Sequence, residues 1–103
     1  MEKLDWMLGM TENMMNIADR NRPASDQMYA MTSTMMGNLH HMKMMDPVEG
    51  TQMDMMESMM RSMEDMMKNM RMDDQMQQSM MHSMMRYMIM MQMNMIMQRL
   101  NCQ

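Results

Sequence analysis

The sequence predicts an all-α protein, an antiparallel four-helix bundle with a methionine-lined core. Three observations carry that expectation. Methionines recur at alternating gaps of three and four residues, first through Met53, Met56, Met60, Met63, Met67 and Met70, then through Met81, Met84, Met88, Met91 and Met95. That spacing returns side chains to one face of an α-helix. The chain has no Phe, a single Val48 and only two Tyr, so it is poor in the residues that strands favour. Its periodic segments are parted by short breaks, as expected of a bundle with short connections. At 103 residues it is long enough for one domain around one core. Residues 1–103 are therefore read as a single domain with helices at about 2–20, 25–45, 51–71 and 74–101.

In the first helix, Leu4, Met7, Leu8, Met14, Met15, Ile17 and Ala18 fall at helical spacing. Glu2 and Asp5 stand in the first turn, where the helix dipole favours acidic groups. Trp6 is the only tryptophan and is expected to anchor packing at one end of the bundle. Asn21-Arg22-Pro23 breaks the helix, because the residue before a proline is pushed out of helical backbone. Ser25 is the expected N-cap of the second helix, with Met28 at N3. Met28, Met31, Met35, Met42 and Met45 then mark its apolar face, with Leu39 filling the skipped turn.

Asp46-Pro47-Val48-Glu49-Gly50 is the clearest loop. Thr51 is the expected cap of the third helix, with Asp54 at N3 as the acidic half of a capping-box-like pair. Glu57–Arg61 and Glu64–Lys68 are favourable i,i+4 pairs on its outer face. The joint at Arg71-Met72-Asp73-Asp74 has two readings: a tight turn with Asp73 capping the next helix, or a continuous helix that would put Asp74 and Gln77 in the seam. The adjacent aspartates favour the turn. The fourth helix is the longest, and methionine occurs on nearly every face of it, including Met90, Met93 and Met97 off the main stripe. A helix apolar all round is usually buried on more than one side, which predicts a central position or a contact with a second chain.

Composition narrows the function. The net charge is −4, a poor basis for nucleic-acid binding and a suitable one for attracting cations. No charged-hydrophobic-small leader is recognisable and no run of apolar residues is long enough to span a bilayer, so no membrane insertion is expected. The single cysteine, Cys102, can form no internal disulfide; the chain is expected to be a monomer or homodimer. No Ser-His-Asp context, glycine-rich phosphate loop, C-x-x-C or Glu-x-x-His motif is present, and no enzymatic activity is expected.

The choice of methionine demands a reason. Burying a Met side chain costs about 1.5–2 kcal/mol of rotamer entropy, against about 0.5–1 kcal/mol for Leu or Ile. Its flexibility also specifies a unique core poorly. A chain selected for packing alone would use Leu and Ile. The thioether sulfur offers something they lack: a soft, neutral donor of the kind that selects Cu(I), with Ag(I) expected to follow. Helical pairs at i,i+3 and i,i+4 set two sulfurs on one face, and a facing helix supplies a third. Met56–Met59–Met60–Met63 and Met81–Met84–Met85–Met88 are the densest such groups. The candidate ligands are Met14 on the first helix; Met28, Met31, Met35 and Met42 on the second; Met53, Met56, Met59, Met60, Met63, Met66, Met67 and Met70 on the third; and Met80, Met81, Met84, Met85, Met88, Met91 and Met95 on the fourth. His41 and His82 each precede a methionine by three residues, Met44 and Met85, and add borderline nitrogen donors.

The H-x-x-M and M-x-x-x-M spacings resemble those of small Met/His-rich periplasmic proteins that bind silver and copper in bacterial metal resistance. The expected architecture is similar to the copper storage protein family, whose four-helix bundles hold many Cu(I) ions on inward-facing side chains. The resemblance covers most of the chain as pattern. It departs in ligand type, since that family lines its bundle with cysteine and this chain has only Cys102. It implies an inward ligand role for Met56, Met60, Met63, Met67, Met81, Met84, Met88 and Met91, storage or buffering of several Cu(I) ions, an exported or periplasmic setting, and a copper chaperone or efflux component as partner. Two rival readings stand beside it. One is a partner-binding module, since flexible Met surfaces adapt to varied apolar partners; exposed Met60 and Met84 faces would favour it. The other is a methionine-based oxidant sink, which needs no regular spacing.

Overall fold

A computed structural model describes residues 2–45, 51–69 and 75–101. The described residues form four α-helices: α1 (Glu2–Arg20), α2 (Ser25–Met45), α3 (Thr51–Asn69) and α4 (Gln75–Asn101). They match the spans expected from the periodicity to within two residues. The expected loop at 46–50, the joint at 71–74, Met70 and Cys102 lie outside the described residues, as do the Ser25 and Thr51 side chains expected to cap α2 and α3.

The start of α2 is capped differently from the expectation. The carbonyl of Ala24 accepts the Met28 N–H at 2.9 Å, so Ala24 stands at the N-cap. The side chain of Gln27 reaches back to the Ala24 N–H at 3.3 Å. That is the returning half of a capping box, in which the N3 residue satisfies the N-cap amide. The preceding Pro23 is buried.

α3 and α4 are separate helices that fold back on each other. Arg99 Nη2, near the end of α4, lies 3.7 Å from Met53 Sδ, near the start of α3. In one continuous helix these residues would stand roughly 70 Å apart at 1.5 Å per residue. α4 is the hub of the bundle. It packs against α1, α2 and α3, whereas the backbones of α1 and α3 do not come close to each other among the described residues. α1 leans chiefly on α4, held there by Arg86 Nη2 to Asp19 Oδ1 at 2.7 Å and by His82 against Ala18. Its contact with α2 is slight by comparison. Between those two helices lies an open groove of about 200 Å³ lined by Met10, Met14, Met31 and their neighbours.

Each helix shows its core stripe in its burial. On α1 the buried residues are Leu4, Met7, Thr11, Met14 and Ala18, spaced by three and four. Thr11 tolerates burial because its hydroxyl donates to the Met7 carbonyl one turn back at 2.5 Å; Thr32 does the same to Met28 at 2.8 Å. Ile17, expected in the stripe, is 38% exposed, and Trp6 is 62% exposed. Trp6 therefore anchors no core packing: it falls between Leu4 and Met7, out of phase with the buried stripe. On the outer face of α3 the expected Glu57–Arg61 pair forms at 3.1 Å. Glu64 and Lys68 make no ion pair with each other.

Candidate metal centre

Among the described residues, fifteen of the twenty buried apolar side chains are methionines, and all twenty belong to one contiguous cluster. α2 contributes Met28, Met31, Met35 and Met42; α3 contributes Met53, Met56, Met60 and Met63; α4 contributes Met81, Met85, Met88, Met91 and Met95; α1 adds Met7 and Met14. Of the expected ligands, Met59, Met66, Met67 and Met84 are half-buried against this cluster. Met80 is 50% exposed and His41 is exposed, so neither faces the sulfur core. Met7, fully buried, was not among the expected ligands; its place in the Leu4–Thr11–Ala18 phase is the signal that marks it.

Three helices meet at Gln92, a fully buried amide among the sulfurs. Its Nε2 donates to the Met35 carbonyl at 2.8 Å and approaches Met56 Sδ at 3.9 Å. Its Oε1 accepts from Asn38 Nδ2 at 3.2 Å. The carbonyl can only accept, so the orientation of the Gln92 amide is fixed by its partners. The amide pair thus pins α2 to α4 at one level of the core, with one α3 thioether near the same donor. Gln92 lies in phase with Met81, Met85, Met88 and Met95, so a polar residue on the stripe was its only mark in the sequence.

The ends of the sulfur row are chemically unequal. Near the start of α3, the Arg99 guanidinium faces Met53 Sδ and also donates to the Met95 carbonyl at 3.5 Å, while its Nε is buried with no partner among the described residues. A fixed positive charge beside Met53 opposes binding of a cation there. At the other end, His82 Nε2 lies 2.8 Å from the Ala18 carbonyl. Because a carbonyl only accepts, Nε2 carries the proton and Nδ1 is the nitrogen with a lone pair to give. That contact also satisfies a carbonyl in the last turn of α1, one of the acceptors a helix end leaves without an intrahelical donor.

Hard donors do not compete in the interior. Among the described residues no three of His, Cys, Asp and Glu converge. The acidic groups lie outside, as in the cluster where Glu57 bonds Lys43 and Arg61 beside His40 and Met44. The Lys43 ammonium first, and then the Arg61 guanidinium, hold the Glu57 carboxyl below the usual carboxylate range. The described interior therefore presents soft, uncharged sulfur with one amide pair and two threonine hydroxyls already bonded to backbone carbonyls, a donor set suited to a soft monovalent cation and poorly suited to a hard divalent one. No helix is long and apolar enough to cross a membrane, among the described residues. No protein-family model, no curated protein and no solved structure matches the chain.

Proposed function

We propose that this protein binds several Cu(I) ions through methionine thioethers inside its helical bundle and stores or buffers them for copper homeostasis or resistance. The observation that carries the reading is the single buried cluster in which fifteen of twenty apolar residues are Met, where leucine would cost less entropy to bury. The ligand-rich region runs from Met56, Met60 and Met63 on α3 to Met81, Met85 and Met88 on α4, with Met28, Met31, Met35 and Met42 facing from α2. His82 Nδ1 stands at one end of that region, and the Arg99 charge disfavours the Met53 end. Thioethers carry no proton and form no disulfide, so such sites keep their donors in oxidising or acidic surroundings, in keeping with an exported or periplasmic setting. Loading and unloading would fall to a copper chaperone or efflux component, and Ag(I) would bind as a mimic. Met60 is fully buried and Met84 half-buried, which weighs against the same methionines serving as an open docking groove.

The test is an anaerobic titration of the metal-free protein with Cu(I) against a competing chelator. Retention of several ions per chain supports the proposal. Uptake of fewer than about two tightly held ions, too few for a thioether core of this size to act as a soft-metal store, overturns it.

A further inference from the structure

We infer that the outer face of α4 is a self-association surface, packing antiparallel against α4 of a second copy of this chain about a two-fold axis. The core face of α4 is used by α1, α2 and α3, yet the helix carries a second apolar stripe on its far side. Met80, Tyr87, Met90 and Met97 are 50%, 53%, 52% and 39% exposed. Together with exposed Ser83 and Asn94 they fall at gaps of three, four, three, four and three. This is the heptad spacing of a coiled-coil seam, and none of the six residues is charged.

The residue types along the stripe identify the occupant as a second copy. A two-fold contact pairs each residue with its counterpart reciprocally. An axis passing between Met88 and Ile89 sets Tyr87 opposite Met90 of the second copy, Ser83 opposite Asn94, and Met80 opposite Met97. Apolar groups meet apolar groups, and each of the two symmetry-related polar layers is a hydroxyl–amide pair of Ser83 with Asn94. The antiparallel sense also opposes the two helix dipoles and separates the two copies of Arg86 and of Arg99 along the axis, whereas a parallel pair would bring each to the same height. Half-buried Met93 and Leu100 flank the stripe and widen it. The area removed from water by both copies is on the order of 1,000 Å², the lower limit for a specific interface, which predicts a weak dimer.

The experiment is sedimentation or light scattering of the metal-free protein, with chelator and reductant present so that neither a bridging ion nor Cys102 links chains. The expected result is a rise toward twice the 12.5 kDa chain mass between about 1 and 100 µM, the range of a weak interface. Met90→Glu should weaken association at least about tenfold, equivalent to losing one well-placed apolar contact at the seam, while leaving the helical circular dichroism unchanged, because Met90 is exposed within one chain. In a Cys102→Ser background, Ser83→Cys with Asn94→Cys should give disulfide-linked dimers and Asn94→Cys alone should not. A monomer at every concentration, a dimer unmoved by Met90→Glu, or cross-linking by Asn94→Cys alone each overturns the inference.

Discussion

Replacing Met56, Met60 and Met63 together by leucine separates packing from ligation. All three are fully buried at the heart of the cluster. Leucine loses about 1 kcal/mol less rotamer entropy than methionine at each site on folding. Its branched shape does not reproduce the path of the longer chain, and volume-conserving swaps of this kind usually cost less than about 1.5 kcal/mol each. The two effects oppose each other, so the triple variant should lie within roughly 2 kcal/mol of the parent; alanine at the same sites would remove about 2–5 kcal/mol apiece. The Gln92 amide should stay in place, because its close bonds go to the Met35 carbonyl and Asn38 and its approach to Met56 Sδ is long. Urea unfolding of the metal-free protein, followed by circular dichroism, measures the first quantity. Anaerobic Cu(I) titration measures the second, and it should show fewer bound ions. A loss of more than about 4 kcal/mol would mean that methionine is there for its shape. Unchanged copper uptake would mean that these sulfurs are not ligands.

Three further outcomes follow from particular contacts. Gln92→Leu leaves the buried Asn38 amide without its partner and should destabilise the fold by about 1–3 kcal/mol; adding Asn38→Leu should recover part of that loss, read as a coupling energy in a double-mutant cycle. Gly9 and Gly37 lie within helices with nothing within 4 Å of an added Cβ, so Gly9→Ala and Gly37→Ala should each raise stability by about 0.5–1 kcal/mol, visible as a higher urea midpoint. Glu57 titrates below the usual carboxylate range because Lys43 and then Arg61 bond it, so its contribution is present at neutral pH and is lost as pH falls through the carboxylate range to the lowered folded value. Glu57→Gln should remove that part of the acid dependence and change stability at neutral pH by no more than about 1 kcal/mol, since the pair is largely solvated; an unaltered pH profile would show the contact to be idle.

The four helices were legible because the three-four spacing of Met on α2 and α3 has one structural meaning. Methionine also hid what the spacing usually reveals. On α4 it occupies both the phase containing Met84 and the phase containing Met85, so hydropathy could not say which faces inward; the structure turns Met85, Gln92 and Ile96 to the core and leaves Met84 half-buried. The same ambiguity concealed the outer stripe through Tyr87 and Met90. The preference of α1 for α4 over α2 was unreadable because it depends on pairs distant in sequence, Asp19–Arg86 and Ala18–His82. Trp6 looked like an anchor by size alone, yet its phase, one residue before Met7, carries it out of the stripe. The Arg99–Met53 contact, which makes one end of the sulfur row unfavourable to a cation, required the fold-back of α3 on α4 before it could be seen.

Copper K-edge X-ray absorption of the Cu(I)-loaded protein reads the ligand atoms directly. Coordination in thioether sites inside the bundle predicts a first shell dominated by sulfur, present in a Cys102→Ser variant and diminished when Met56, Met60 and Met63 become leucine. A first shell of nitrogen and oxygen, or a sulfur shell that disappears with Cys102 alone, would contradict a methionine-lined copper store.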